Sequence, residues 1–440
     1  MRGFLASSIG VTCAAALALP LTLPAVAAPT KAPTKAPVPA SAKAQAPDLP
    51  GSTQSLPLTP RTRDRTLGAA PEQGLTRDDV QRFSLVGVIW DNPDTELRGR
   101  VQVRARATGT GEWSGWQDVD THNEDHGADP GTAERASGHV HGSTAPLWVG
   151  DSDGVDVRVR ADETARRTVV GNVEEQSSPL PTGLHLELVD PGAAEAPLAG
   201  ARAATGRAAA VPLAATEIPA LSKEATEREL VALGGKAQPY IGPRPRIVTR
   251  RGWGADERLR EKGFVYTKKV KAVFVHHTAS GNNYRCSQAP SVIRGIYRYH
   301  VESSGWRDIG YNFLVDKCGT IYEGRAGGVA KAVLGAHTLG FNTDSMGIAV
   351  LGTFGSAKPS SAAVTAIARL AAWKLGLYGV NPRGKTYLKS AGGNLYRKGK
   401  NVRLNVISGH RDGFATECPG RQLYGKLGSA RSTSARFQGR

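Results

Sequence analysis

Three short stretches alternate strictly between apolar and polar side chains: Val101-Gln102-Val103-Arg104-Ala105-Arg106, Val155-Asp156-Val157-Arg158-Val159-Arg160 and Leu184-His185-Leu186-Glu187-Leu188. A period of two sends one row of side chains inward and the other outward, which is the pattern of half-buried antiparallel strands. Turn signals such as Asn92-Pro93-Asp94 and Asp151-Ser152-Asp153-Gly154 lie between them. Together they predict a small antiparallel β-sandwich over residues 80–190. Trp113, Trp116 and Trp148 fall in this segment and read as core fillers, with a carbohydrate-stacking platform as the alternative. Nothing in it forms a catalytic constellation.

The pattern changes after about residue 240. Val270–Val275 is a continuous apolar strand, and Pro290–Val301 carries Val292, Ile293, Ile296 and Tyr297 at helical spacing. Tyr311–Val315 and Thr320–Glu323 flank Asp316-Lys317-Cys318-Gly319, a hairpin signal. Met346–Leu351 reads as a strand, Ser361–Leu377 as an amphipathic helix, Val402–Ile407 as a last strand and Pro419–Leu427 as a closing helix. The fold class expected is therefore α/β, a mixed sheet surrounded by helices over 244–430, preceded by the sandwich. An Ala/Pro/Gly linker with one short helix near Ser222–Ala232 would span 191–243, and a basic tail 431–440.

The N-terminus indicates the compartment. Met1-Arg2 precedes a mostly apolar run from Phe4 to Leu21, and Ala25-Val26-Ala27-Ala28 offers small residues for cleavage. We read residues 1–28 as a signal peptide, with a signal anchor as the alternative. Residues 29–79 read as a Pro/Ala-rich tether, with six Pro among residues 29–50 alone. Four Cys in 440 residues exclude a disulfide-dense scaffold. Cys13 would leave with the leader. The remaining Cys286, Cys318 and Cys418 are an odd number for an oxidising compartment, so one is either free by accident or held as a metal ligand.

His276, His410 and Cys418 bear on that choice. His276 ends the apolar strand in Val275-His276-His277-Thr278-Ala279, His410 follows Val402–Ile407, and Cys418 comes eight residues later. Strand ends hold side chains rigidly at one edge of a sheet. Two imidazoles and a thiolate make a three-ligand Zn²⁺ set with the fourth tetrahedral position left for water. A single histidine at a strand end is more often a capped or solvated side chain, and spacing alone does not decide between the two.

Four blocks occur in one order: Val275-His276-His277-Thr278-Ala279, Asp308-Ile309-Gly310-Tyr311-Asn312-Phe313, Gly335-Ala336-His337-Thr338, and Gly409-His410-Arg411-Asp412 with Thr416-Glu417-Cys418-Pro419-Gly420. With Pro245-Arg246-Ile247-Val248 and Trp253-Gly254-Ala255 before them, they resemble the peptidoglycan recognition protein/type 2 amidase family, zinc N-acetylmuramoyl-L-alanine amidases, over about residues 244–430. The resemblance implies zinc on His276, His410 and Cys418, with His277 as the alternative to His276. It implies Tyr311 and Thr416 as catalytic residues, without telling their roles apart. His337 and Asn342 match positions that contact the muramyl peptide, although a buried, hydrogen-bonded His337 reads equally well. Trp306 is read as packing. Cys286 and Cys318 are then left over, as a disulfide or as two free thiols. The presence of Cys418 separates the chain from binding-only relatives that have lost this cysteine; a non-catalytic peptidoglycan-binding module is the alternative function.

The net charge of +17 is a sum of unlike parts, because residues 241–440 carry 33 Lys+Arg against 10 Asp+Glu and residues 1–240 are net acidic. The basic residues cluster at Lys385–Lys400 and Arg244–Lys271. We expect attraction to peptidoglycan and other anionic cell-wall polymers, with no nucleic-acid partner and no stable membrane insertion. The expected protein is a secreted, extracellular or wall-associated monomer.

Overall fold

The alternating stretches form strands, as their period requires, in a computed structural model that describes residues 51–61, 71–121, 125–162, 179–193, 215–236 and 238–440. The expected leader and residues 29–50 of the expected tether lie outside the described residues. The strands Gly99–Ala107, Leu147–Ala161 and His185–Asp190 join an antiparallel assembly with Phe83–Trp90 at its centre. Leu147–Ala161 pairs first with Phe83–Trp90, then runs between Glu72–Arg77 and Gly99–Ala107. The change of partners falls near Gly150, whose φ of 82° suits only glycine without strain. Val101, Val103, Val155, Val157, Val159, Leu186 and Leu188 meet in one core.

The β domain starts earlier than residue 80. Ser52–Pro57 pairs along all of His185–Asp190, and Glu72–Arg77 pairs with Leu147–Ala161. Both strands are polar and weakly alternating, so backbone pairing rather than a hydrophobic row defines them. The tryptophans divide. Trp148 is buried, whereas Trp113 and Trp116 are only half-buried and stack with Arg104, at 5.3 and 5.1 Å. The core reading fails for those two.

In the second domain seven strands form a mixed sheet in the order Glu217–Ile218, Ile247–Val248, Ile321–Glu323, Phe313–Val315, Ser345–Val350, Ala272–His277, Ile407–Gly409. Ala272–His277 is parallel to both neighbours. Along it Val273 and Val275 face the helices Ser361–Gly376 and Leu427–Gln438, while Phe274 and His276 face the opposite side. Ser360 caps the first of these helices, accepting from Ala363 N at 3.0 Å.

Three expectations shift in this domain. The expected linker contributes Glu217–Ile218 and the helix Lys223–Ala232. The expected strand Val402–Ile407 divides at Val406: Asn401–Asn405 makes a separate hairpin with Lys385–Lys389, and Ile407–Gly409 enters the sheet. The expected basic tail is mostly helix, Leu427–Gln438, which buries Leu427, Ala430, Ser434, Ala435 and Gln438 at turns of three and four. Small and polar residues on that face hid the periodicity.

The other face of the sheet is covered by Ala289–Arg298, and the sandwich packs on the far side of this helix. Leu85, Ile89, Trp148 and Val189 meet Val292, Ile293 and Ile296 in one buried cluster. Gly295 allows the approach, since a Cβ there would sit 3.2 Å from Leu85. Glu187, expected to face water, is buried here and accepts from Ser303 Oγ at 2.8 Å. Among the described residues no helix is long and apolar enough to cross a membrane.

Candidate metal centre

His276 and His410 come together because their strands are neighbours: Val275 pairs with Gly409, and each histidine follows one of these residues. Nδ1 of His276 lies 3.1 Å from Nδ1 of His410. The chain then turns back, with Arg411 N donating to Cys418 O at 3.0 Å, and Cys418 Sγ ends 3.8 Å from His276 Nδ1. A tetrahedral zinc with ordinary bond lengths has N···N edges of about 3.3 Å and N···S edges of about 3.6 Å. The donor set fits that ion. His277, on the other side of the strand, instead accepts from Phe354 N at 3.3 Å.

Burial favours the neutral forms of the imidazoles: it pushes His276 well below its ordinary value, and His410 down to about 3. Their lone pairs are thus available. Burial raises the Cys418 thiol, so a cation is needed to hold it as thiolate. Outer partners orient the rings. His337 Nδ1 lies 3.2 Å from His276 Nε2, and the carbonyl of Asp125 lies 3.1 Å from His410 Nε2. The carbonyl can only accept, so it keeps the proton of His410 on Nε2 and leaves Nδ1 for the metal; the His337 contact is compatible with the same tautomer of His276.

A fourth donor comes from a place the sequence reading passed over. His126, in the β domain, offers a ring nitrogen to the same cluster, where the ligand atoms of His126, His276, His410 and Cys418 all lie within 4.8 Å of one another. Its Nδ1 is bonded to Asp125 Oδ1 at 2.5 Å. Its Nε2 is buried and has no hydrogen-bond partner among the described residues. A buried imidazole nitrogen without a partner is costly unless a metal or proton donor takes it. The available signal was Asp125-His126-Gly127 in a long stretch between Gln117–Val119 and Gly142–Ser143, with no strand among its described residues.

The other expected site residues are close by. The Tyr311 ring centre is 5.5 Å from that of His276, and burial raises its phenol far above the ordinary range. Thr416 accepts from Cys418 N at 3.1 Å. His337 and Asn342 are both buried, and Asn342 Nδ2 donates to Gly127 O at 2.9 Å and Asp129 Oδ1 at 2.7 Å. Trp306 packs on His300, with ring centres 4.4 Å apart. Cys286 and Cys318 form a disulfide, and Cys418 is a buried free thiol. Of the two basic clusters, Lys385, Lys389, Arg397, Lys398 and Lys400 are exposed. In the other, Arg244 pairs with Glu229, Arg250 with Glu257 and Asp308, and Lys271 with Asp344. The second cluster is therefore largely neutralised.

Residues 266–421 match the family model described as N-acetylmuramoyl-L-alanine amidase, and residues 39–181 that described as Rv3811 N-terminal galactose-binding domain-like. Peptidoglycan-recognition protein SC2 of Drosophila simulans is 31% identical over 183 residues, covering 41% of this chain and 84% of the relative. Peptidoglycan-recognition protein 1 of Holotrichia diomphalia is 33% identical over 168 residues, covering 36% and 80%. Among solved structures, wild-type Drosophila PGRP-LB aligns at 26% identity and a TM-score of 0.33, covering 42% of this chain and 92% of its own.

Proposed function

Because the chain belongs to the peptidoglycan recognition protein/type 2 amidase family, we propose that it is a zinc hydrolase cutting the amide between the lactyl group of N-acetylmuramic acid and L-alanine in bacterial peptidoglycan. The observation that carries this reading is the convergence of His276 Nδ1, His410 Nδ1 and Cys418 Sγ beside the Tyr311 ring. A buried thiol beside neutral imidazoles supports this reading over the alternative of a module that only binds peptidoglycan.

Held by these three residues, zinc would supply a Lewis acid and a water acidic enough to attack at neutral pH. The chain does the rest. His337 fixes the His276 ring, and so acts on the ligand rather than on substrate. Burial disfavours the Tyr311 phenolate, which suits the phenol to donate to the oxygen that gains charge as the carbonyl is attacked. Thr416 holds the backbone of Cys418 and so the direction of its sulfur. Asn342 keeps a substrate-binding role, for which its amide has to leave Gly127 O and Asp129 Oδ1 and turn to carbonyl groups of the stem peptide.

The apolar N-terminus and the Cys286–Cys318 disulfide support action outside the cytoplasm, as a monomer at the cell wall. The exposed cations of the Lys385–Lys389 and Asn401–Asn405 hairpin would draw the protein to anionic wall polymers, less strongly as salt rises. The test is mass spectrometry of peptidoglycan digested by the wild-type chain and by His126→Ala, each with zinc and with chelator. Stem peptides with free L-alanine amino termini, formed only with the metal, are expected. Zinc-loaded protein that releases none in either form would overturn the reading.

A further inference from the structure

Among the described residues the metal centre shows no route for a polymer. His276, His410, Cys418 and Tyr311 are all buried, and so is Asn342. What covers them is residues 125–141 of the β domain. Asp125 O accepts from Leu339 N at 2.9 Å as well as facing His410, and Gly127 N donates to Ala336 O at 3.2 Å. Asp129 Oδ1 accepts from Gly340 N at 2.7 Å. Further along, both oxygens of Glu134 accept from the Arg325 guanidinium, at 2.8 and 2.9 Å, with both side chains buried. His141 N donates to Ser304 O at 3.1 Å. The segment thus lies across the site, anchored by these bonds, and it occupies the Asn342 amide as a peptide would.

We infer that residues 125–141 are an intramolecular plug whose His126 Nε2 is the fourth ligand of the zinc, so that the full chain is latent until the plug withdraws. Two independent observations carry it: a buried Nε2 with no partner among the described residues, on a ring that belongs to a cluster of metal donors, and the network of bonds that anchors the segment over it. With His126 in place the ion has four protein ligands, the closed arrangement of a structural site. Withdrawing His126 frees one position for water and uncovers Asn342 in the same movement. The activity arm of this inference rests on the amidase reading; the coordination arm does not.

The test begins with the unaltered full chain. Its zinc K-edge absorption should count one sulfur and three imidazoles, and the absorption bands of the cobalt(II) form should not move when azide is added. His126→Ala should replace one imidazole by oxygen, respond to azide, and bind zinc at least about tenfold more weakly, a loss that even an outer partner of a metal ligand causes. It should also release stem peptides at least tenfold faster than wild type. Two imidazoles in the wild-type spectrum, or an equal response to azide, would overturn the fourth ligand. Equal hydrolysis rates would overturn latency while leaving the amidase reading intact. No hydrolysis by either, with three imidazoles in wild type, would overturn the amidase reading and leave the ligand standing. Should His126→Ala not fold, a protease site inserted at the exposed Gly138 allows the folded chain to be nicked; unchanged azide response and rate after cutting would overturn the plug.

Discussion

The Glu134–Arg325 pair makes the hold of the 125–141 segment measurable. Arg325 donates to both carboxylate oxygens of Glu134, and Arg307 N donates to one of them at 3.2 Å. The side chains are 4% and 6% exposed. Removing one partner of a buried pair costs about 3–5 kcal/mol, because the remaining charge stays out of water uncompensated. In Glu134→Ala the guanidinium keeps its bond from Nε to Ile309 O at 2.9 Å, which points to the lower end, about 3 kcal/mol. When the segment is withdrawn Arg325 meets water in both proteins, so the loss falls on the docked state alone. The opening equilibrium should then rise by about 150-fold, at 1.4 kcal/mol per factor of ten. Native-state amide exchange reads it directly. Leu339 and Gly340, whose N–H groups donate to Asp125 O and Asp129 Oδ1, should exchange about two orders of magnitude faster in the variant. Val273, bonded to Val406 O within the sheet, should be unchanged. Equal protection of Leu339 and Gly340 in the two proteins would refute the reasoning, and so would equal acceleration at Val273, which reports unfolding of the whole domain.

Cys418→Ala should lose zinc on dialysis, read by atomic emission; full retention would remove the thiol from the ligand set. Tyr311→Phe, made in the His126→Ala background, should keep its zinc and lower kcat by about 10²–10³-fold, the usual loss for a donor to a developing oxyanion; an unchanged kcat would leave the phenol without a role in the chemistry. Lys374 is buried beside the carbonyls of Val329 and Lys331, and burial lowers its ammonium to about 7. Between that value and its unfolded value near 10.5 the unfolded chain binds the extra proton, so stability rises with pH by up to about 1.4 kcal/mol per unit. From pH 7 to 9 the urea-unfolding free energy of wild type should gain about 2 kcal/mol on that of Lys374→Met, and a constant difference would contradict the buried charge.

The site residues that the sequence made legible share one property: each stands at the end of an apolar run or inside an ordered motif. His276 follows a buried strand, His410 follows the parallel strand beside it, and Cys418 belongs to a block that also contains Thr416. His126 has neither feature. It sits in a polar stretch without periodicity, and its meaning depends on a contact with residues nearly three hundred positions away. The same limit applies to the fold. Val101–Arg106 and Val155–Arg160 declare a sheet through their period, whereas Ser52–Pro57 is held by backbone pairing to His185–Asp190 and leaves little hydrophobic trace. Glu187 is written as a solvent-facing residue and lies buried, because the pattern of one domain does not encode what docks on its outer face.

That docking has a consequence for how the centre can be controlled. Leu85, Ile89, Trp148 and Val189 fix the β domain on the helix Ala289–Arg298, so residues 125–141 are tethered at both ends to a body that does not leave. A segment so held meets its site at an effective concentration on the order of millimolar, whatever the concentration of the protein. Dilution therefore cannot activate the chain. If the chain acts on peptidoglycan as proposed, an incoming wall fragment would have to outcompete this resident segment, and a single cut in the segment would weaken the competitor permanently. The threshold for activity is then set by the covalent connection between the two domains as much as by the bonds at the metal centre.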